Sequence, residues 1–404
     1  MPSIPWLDVV TVLVAALVGL TLLRPRIAKS EGWRATVTPL ASIIGSGFLV
    51  LGPILLREYG PWAPAMMLAL CVTAYAFGAA VRANIEHLEP LEESDELPLS
   101  ALILERSSSW ALAAAYVVSV AYYLNLLGSF AVSLTPVDNQ LYARLVTTTV
   151  LTFIGLYGLF RGLRKLETLE EYAVTLKLAI IAGLLVALAY HTFELFSDGE
   201  LVQNVADDVG PHSLYVAFGL VITVQGFETS RYLGEEHGAE LRVRTMRFSQ
   251  WISTAIYLVY VACLTWAFEA GSIGTSETAI IGVSAQVAPV LPAMLVAAAL
   301  AAQFSAAVAD TSGCGGLIHE LSRGKLSSQI GYAAVVLLGL VLTWTANVFE
   351  IIAYGSRAFA AYYALQSATA AVLAHRRGAR LAMLGFASLC VLGAAIAALG
   401  VPAE

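Results

Sequence analysis

The sequence is short of charged residues and has no surplus of positive charge. Only 13% of its 404 residues are Asp, Glu, Lys or Arg, whereas an average soluble domain carries about 25%. Basic residues number 22 against 29 acidic ones, which gives a net charge of -7 and leaves too little basic surface for a nucleic-acid binder. With 58% hydrophobic residues and a mean hydropathy of +0.76, the composition excludes an ordinary soluble domain and a main nucleic-acid partner, and it indicates a membrane protein.

Motifs for metal binding and for membrane-enzyme chemistry are also lacking. The four cysteines lie in or beside apolar stretches without CxxC or Cys/His spacing, so they predict neither a disulfide framework nor a zinc site. Intramembrane serine proteases, metalloproteases and ATP-driven pumps each need a short motif that does not occur here. We therefore expect no metal, no cofactor and no enzymatic activity.

Twelve apolar runs are present, each close to the roughly 20 residues that cross a bilayer as a helix. They are too long and continuous for barrel strands, which are about ten residues of alternating polarity. The sequence thus predicts an all-α polytopic membrane protein with about 12 transmembrane helices. The runs cover approximately residues 6–23, 36–56, 62–82, 109–134, 141–160, 168–190, 213–233, 248–267, 286–309, 329–345, 348–373 and 379–399.

Basic residues between these runs predict the orientation, because cytoplasmic loops collect Lys and Arg. The first run is followed rather than preceded by its positive charges, so we interpret it as a retained helix with the N-terminus outside. Outside loops hold only Arg57 and Arg144. We expect an integral protein of a bacterial-type cytoplasmic membrane whose inside loops carry Arg24, Arg26, Lys29, Arg34, Arg161, Arg164, Lys165, Arg242, Arg244, Arg247, Arg323, Lys325, Arg376, Arg377 and Arg380.

Two runs are interrupted near their middle. Residues 42–48 read Ser-Ile-Ile-Gly-Ser-Gly-Phe, and residues 225–230 read Gln-Gly-Phe-Glu-Thr-Ser. Each interruption lies in the first helix of a block of five, and an odd block size inverts the second block. Paired interruptions of this kind indicate a secondary transporter with a midplane site, where helix N-termini suit an anion and free carbonyls suit an ammonium. Alternatively, Gly45 and Gly47 serve only close helix packing, although the matched second interruption argues against this.

Three stretches resemble the amino acid-polyamine-organocation (APC) transporters, which share the five-plus-five inverted-repeat fold of the bacterial leucine transporter. The stretches are 43–48 with Gly60-Pro61, 225–228 with 234–236, and 162–165 leading into 175–178. The resemblance spans about residues 36–373, with His237-Gly238 where the family usually has Asn-Pro. It implies an extra N-terminal helix and basic loop (1–34), a first repeat (35–192), an acidic outside loop (193–211), an inverted second repeat (212–375) and a C-terminal helix (376–404).

The resemblance also implies a binding site for a zwitterion at the broken first and sixth core helices. The backbone of the first break would bind a carboxylate, and that of the second would face an ammonium, with Phe227 covering the substrate. On the third core helix, Tyr122 and Asn125 lie past midspan and are expected to line the pocket. The backbone segments are Ile44, Gly45, Ser46 and Gly47 in the first break, and Val224, Gln225 and Gly226 in the second.

Lys177 is the candidate proton carrier. It matches the lysine that proton-driven family members carry on the fifth core helix, and it lies about nine residues inside its predicted run, too deep for easy snorkelling. Burial disfavours the ammonium form, so such a lysine can exchange a proton near neutral pH, and Ser305 is expected to hydrogen-bond to it. Glu228 is a second candidate for proton coupling. Alternatively, Lys177 reaches the headgroups or pairs with Glu170 or Glu171.

Arg357 is predicted to be another deep charge, on the tenth core helix. A buried guanidinium stays charged and needs a partner, for which Glu228 or an anionic substrate group are the candidates. A structural ion pair or gate without substrate contact is an equally acceptable interpretation. Asp310, nearer the end of the eighth core helix, is expected to be a helix-end residue in the cytoplasmic interface.

Together these features predict a secondary active transporter of an amino acid or related small amine. Protons are the expected coupling ion, alternating access the expected mechanism, and the lipid bilayer the environment. An amino acid exchanger, a sodium-coupled symporter of the same fold and a non-transporting membrane sensor remain as alternatives.

Overall fold

The computed structural model describes residues 5–45, 47–94, 96–163, 166, 170–205, 210–234 and 236–403. All regular elements within these residues are helices, which confirms the all-α prediction. Ser46, to which we assigned substrate binding, lies outside the described residues, as do Arg164, Lys165 and Glu235.

Helices of the first half surround one interrupted segment. It is divided into α3 and α4 because the helical backbone stops at Ile43, Ile44 takes φ -82 and ψ 56, and a new helix starts at Gly47. A 3-10 turn at Gly60–Trp62 follows α4. The helices are α1 Pro5–Leu22, α2 Pro25–Ala28, α3 Glu31–Ile43, α4 Gly47–Tyr59, α5 Ala63–His87, α6 Glu89–Glu93, α7 Leu99–Val132, α8 Gln140–Arg161 and α9 Glu170–Asp198.

The second half contains the other interrupted segment. It starts as α10, Pro211–Gly219, continues in 3-10 geometry over Val221–Val224 and Phe227–Leu233, and turns at Gly226 with φ +119. This break begins at Leu220, earlier than the sequence predicted. The remaining helices are α11 Ala239–Ala267, α12 Ala279–Val287, α13 Leu291–Leu321, α14 Ser328–Thr345, α15 Val348–Arg376 and α16 Arg380–Leu399.

Each of the twelve predicted runs coincides with a helix or with an interrupted segment. By length and composition alone, 8 described helical stretches could cross a membrane, with α4 to α6 counted as one stretch. Not counted there are the shorter α1, the α3 half of the first interrupted segment, the second interrupted segment and α15. Several boundaries were wrong. The run at 286–309 spans the gap between α12 and α13, and α13 begins at Leu291 and continues to Leu321. Helices α7 and α11 begin ten and nine residues earlier than predicted, at Leu99 and Ala239.

The core is built around α7. Its apolar window is 78% buried, whereas that of α16 is only 11% buried, so α7 is central and α16 peripheral. Helix α7 packs against α13 and α15, and α1 packs against α9 at the periphery of the bundle. The broken segments lie inside this frame, because α3 packs against α11 and the 3-10 segment Phe227–Leu233, and α4 contacts Val221–Val224.

Candidate functional site

The two breaks contact each other directly through their glycines. A Cβ on Gly226 would lie 2.5 Å from the carbonyl carbon of Ser42 and 2.6 Å from the Ile43 nitrogen, and its φ of +119 also disfavours other residues. A Cβ on Gly47 would lie 3.1 Å from the Thr223 Cα. Glycine therefore permits close packing here, as the alternative interpretation held, and the packed surfaces are the two breaks themselves.

A tyrosine of α11 joins the two breaks. The Tyr257 hydroxyl lies 2.7 Å from the carbonyl oxygens of both Ile43 and Thr223. Carbonyls at helix ends lack intrahelical partners, and a hydroxyl can donate its single hydrogen to either of them. Tyr257 is fully buried, so this contact is part of the core of the site. Sequence reasoning missed it because nothing in the sequence around Tyr257 distinguishes it from the other tyrosines of apolar helices.

Lys177 also contacts the first break. Its Nζ donates a 2.6 Å hydrogen bond to the Ala41 carbonyl in the last turn of α3, and the residue is 5% exposed. Its position contradicts the alternative that Lys177 reaches the headgroups. Lys177 and Ser305 line one cavity of about 30 Å³, together with Ser42 and Tyr123.

Asp310 lines the same cavity, which corrects its interpretation as an interfacial helix-end residue. It lies within α13, which continues to Leu321. A carboxylate oxygen of Asp310 accepts a hydrogen bond from the Ser119 hydroxyl of α7. The signal in the sequence was the polar run Asp310-Thr311-Ser312. The predicted helix ended at residue 309, so this run was expected at the membrane surface, whereas it lies inside the longer helix α13.

Glu228 is bound within the second break. Its Oε2 accepts hydrogen bonds from the Gly226 backbone N–H at 2.9 Å and from the Tyr363 hydroxyl of α15 at 2.6 Å. Phe227 stacks on Tyr363, with ring centroids 5.0 Å apart, and Tyr363 stacks in turn on Phe77. The carboxylate and the predicted covering ring are thus both held against α15.

Gln225, Val224 and Tyr122, which were predicted to line the pocket, lie close to the two breaks. The Gln225 Nε2 lies 3.5 Å from the Tyr123 hydroxyl, and its buried Oε1 has no hydrogen-bond partner among the described residues. Val224 is buried beside it, and the Tyr122 hydroxyl lies 2.7 Å from where a Gly47 Cβ would be. Among the described residues, the second break therefore offers buried backbone around Val224 and the Gln225 Oε1 as an available acceptor.

Ser356 of α15 stabilises the start of the second break, which sequence reasoning also missed. Its hydroxyl donates to the Gly219 carbonyl at 2.6 Å and accepts from the Ile222 N–H at 2.9 Å. These two backbone groups flank the change from α-helical to 3-10 geometry. One side chain thus satisfies a carbonyl and an N–H group that the interruption releases.

Two predicted site residues belong elsewhere. The Asn125 amide donates to the Thr343 hydroxyl of α14 at 2.9 Å and to the Ala121 carbonyl, so it links two helices instead of lining the pocket. Arg357 is exposed, and its Nε donates to the Ala397 carbonyl near the end of α16 at 2.8 Å. It is therefore not the buried partner of Glu228, because its side chain lies on the face of α15 that packs against the peripheral helix.

A polar network lies at the end of the second break that is predicted to face the cytoplasm. Arg231 donates to Glu105 at 3.1 Å and to Gln366 at 2.7 Å, and the Gln366 amide donates to Ser108 at 2.8 Å. Arg242 binds Glu89 through both terminal nitrogens. The network connects the 3-10 segment Phe227–Leu233 to α6, α7, α11 and α15.

This arrangement defines an integral membrane transporter with two broken helices that meet at its centre. A family model described as "APC superfamily transporter" matches residues 25–400, so the chain belongs to the APC superfamily. A protein of Aquifex aeolicus (strain VF5), described as an uncharacterized protein, is 45% identical over 377 residues, which cover 92% of this chain and 91% of that protein.

Two solved structures share the fold. One is a manganese transporter mutant from Eremococcus coleocola, with 13% identity, TM-score 0.54, and coverage of 90% of this chain and 86% of that chain. The other is a substrate-bound, outward-open Na⁺-coupled sialic acid symporter, with 14% identity, TM-score 0.52, and coverage of 98% and 96%. These similarities confirm the predicted inverted-repeat fold and a secondary transporter. The exact repeat boundaries, 35–192 and 212–375, stay a prediction.

Proposed function

We propose that this secondary transporter carries an amino acid or a related small amine by alternating access and couples its movement to protons. The observation that supports the coupling best is the buried Lys177 side chain, whose Nζ contacts the last turn of α3. Lys177 thus places a titratable group in contact with α3, which ends at the predicted substrate site.

The two breaks offer complementary groups to a zwitterion. Helix α4 starts at Gly47, and its first N–H groups suit a carboxylate because helix N-termini carry partial positive charge. The carbonyls around Val224 and the available Gln225 Oε1 suit an ammonium. Because Gly47 and Gly226 hold these segments in contact across the break, one small molecule could bridge both sets of groups.

Protonation of Lys177 affects its bond to Ala41. An ammonium donates a charge-assisted hydrogen bond that is roughly twice as strong as that of a neutral amine. Gain and loss of the proton would therefore strengthen and weaken the attachment of α3 to α9. Ser305 lines the same cavity, and Glu228 is the second proposed proton-coupling group.

We further propose that the protein lies in a bacterial-type cytoplasmic membrane with its N-terminus outside. The basic residues of the predicted inside loops support this orientation. Labelling of single cysteines introduced at Asp138 and at Lys325, one on each predicted side, would test it with a membrane-impermeant reagent. Both positions are exposed, and labelling of Lys325→Cys from outside intact cells would contradict the orientation.

The coupling is tested by uptake of radiolabelled amino acids and amines into proteoliposomes with an imposed pH gradient. We expect uptake to follow the inward proton gradient and to fall when a protonophore dissipates it. Lys177→Gln should lose this response while it retains substrate counterflow, because the proton carrier is gone but the binding segments remain. The matched control is Lys325→Gln, an exposed lysine in a loop.

Other outcomes identify the alternatives. Dependence on a sodium gradient with no response to pH would indicate a sodium-coupled symporter, and counterflow without response to any gradient would indicate an exchanger. Flux of no tested solute, together with ligand-induced thermal stabilisation, would favour a membrane sensor.

A further inference from the structure

We propose that Asp310 is the counter-charge of Lys177, and that this pair, rather than the lysine alone, carries the coupling proton. The inference rests on the proposed proton-coupled function and deepens it by adding a residue from a different helix. Asp310 belongs to α13 and Lys177 to α9, and these two helices pack against each other.

The cavity brings the two charged groups together. Lys177 and Asp310 both line the space of about 30 Å³, and a cavity of that size holds about one water molecule. A water there could relay a proton between the carboxylate and solvent. Asp310 is only half-buried, whereas Lys177 is 5% exposed, so the carboxylate is the more accessible of the two groups for an incoming proton.

A cationic partner would stabilise the Asp310 carboxylate. Tyr123 of α7 lines the same cavity, Cys314 lies one turn further along α13, and both side chains are neutral at pH 7. The Ser119 hydroxyl donates to the carboxylate but carries no charge. Lys177 supplies the positive charge in this group. Each charge reduces the desolvation penalty of the other, which a lone buried charge would have to meet in full.

The proton balance of the pair is simple. In one state the ammonium and the carboxylate neutralise each other. An arriving proton forms an O–H bond on an Asp310 carboxylate oxygen, and the pair then carries one net positive charge. The ammonium, without its counter-charge, keeps the Ala41 carbonyl as a partner, so protonation of Asp310 strengthens the contact with α3. Release of the proton to the other side restores the neutral pair.

The proposal is tested with Asp310→Asn, Lys177→Gln and the double variant of the full-length protein in proteoliposomes and in detergent. We expect Asp310→Asn to lose pH-gradient-driven uptake. Each single variant leaves one charge without its counter-charge and should lower Tm. The double variant should regain part of the Tm lost by Lys177→Gln, because the effects of substituting neighbouring charges are not additive. Asp138→Asn, an exposed aspartate in a loop, is the matched control and should change neither readout.

The outcomes separate this inference from the proposed function. If Asp310→Asn follows the pH gradient as the wild type does while Lys177→Gln does not, the pair is wrong and proton coupling through lysine stands. If uptake by the wild type does not respond to pH, the proposed proton coupling is wrong. If the Tm changes of the two single variants add up in the double variant, the pairing of Lys177 with Asp310 is wrong. Should Asp310→Asn fail to fold, Asp310→Glu keeps the carboxylate, and its pH profile of uptake must shift if the proposal holds.

Discussion

The two broken helices are held in different ways. The first break is bound from outside by side chains of other helices, through Lys177 to Ala41 and through Tyr257 to Ile43. The second break is bound largely from within, because Glu228 accepts from the Gly226 N–H and the Thr229 hydroxyl donates to the Gly226 carbonyl at 2.7 Å. Other helices also bind it, through Ser356 at its start, Tyr257 at the Thr223 carbonyl and Tyr363 at Glu228.

This difference indicates which half is suited to move. A segment that carries its own capping side chains keeps its shape when its neighbours shift. A segment held by groups of neighbouring helices is released when those groups move or change their protonation. We therefore expect α3 to move during transport and the segment around Gly226 to stay fixed. The ion pair between Arg231 and Glu105 attaches that fixed segment further.

The largest expected effect follows from a side chain at the point where the breaks touch. Gly226→Ala places a Cβ against the Ser42–Ile43 backbone and strains a residue with φ +119. Overpacking and left-handed strain together should destabilise the protein by more than about 2 kcal/mol. Thermal unfolding in detergent measures this, with Gly238→Ala as the control because a Cβ there meets nothing within 4 Å. Equal Tm values for the two variants would contradict the contact.

A smaller effect is expected at the external support of the second break. Ser356→Ala removes the partner of the Gly219 carbonyl and of the Ile222 N–H, and unsatisfied buried groups cost about 1–3 kcal/mol. Ser367→Ala, on the same helix, is the control, because that buried hydroxyl has no partner among the described residues. Loss of stability should be confined to Ser356→Ala, and a Ser356→Ala protein as stable as the wild type would contradict a supporting role of Ser356.

The smallest effect on stability is expected at the first break. Tyr257→Phe removes a hydroxyl shared by Ile43 and Thr223, worth about 1 kcal/mol. Its consequence for motion should be larger, since α3 loses one of its attachments. Cysteine labelling of Ser42→Cys should become faster in Tyr257→Phe than in Tyr260→Phe, whose hydroxyl instead contacts Leu49 of α4 at 3.2 Å. Unchanged labelling would argue against α3 as the moving half.

Much of the fold was predictable from the sequence. Gly45, Gly47 and Gly226 interrupt long apolar runs, and such interruptions stand out because the remaining residues of those runs are so uniform. The depth of Lys177 followed from its distance to the start of its run. Both features depend on position along the chain, which the sequence gives directly.

Side-chain direction was less predictable. Asn125 was expected to line the pocket, and Arg357 was a candidate partner of Glu228 or of the substrate, yet they contact α14 and α16. Asp310, Tyr257 and Ser356 face the breaks without having been assigned to them. In a helix that is apolar on all sides, periodicity does not identify the face that meets a given neighbour. The expectation for Arg357 failed because a peripheral helix covers that face of α15.

By itself, the sequence determined that the chain lies in a membrane, that it contains about twelve long apolar runs, and where two of those runs break. These properties follow from the length of apolar runs and from the local effect of glycine and polar residues. Only the tertiary structure decided which side chains satisfy the released backbone groups, and that Asp310 and Lys177 line one small cavity. These contacts join residues far apart in the chain, so they depend on how the helices pack and rotate against each other.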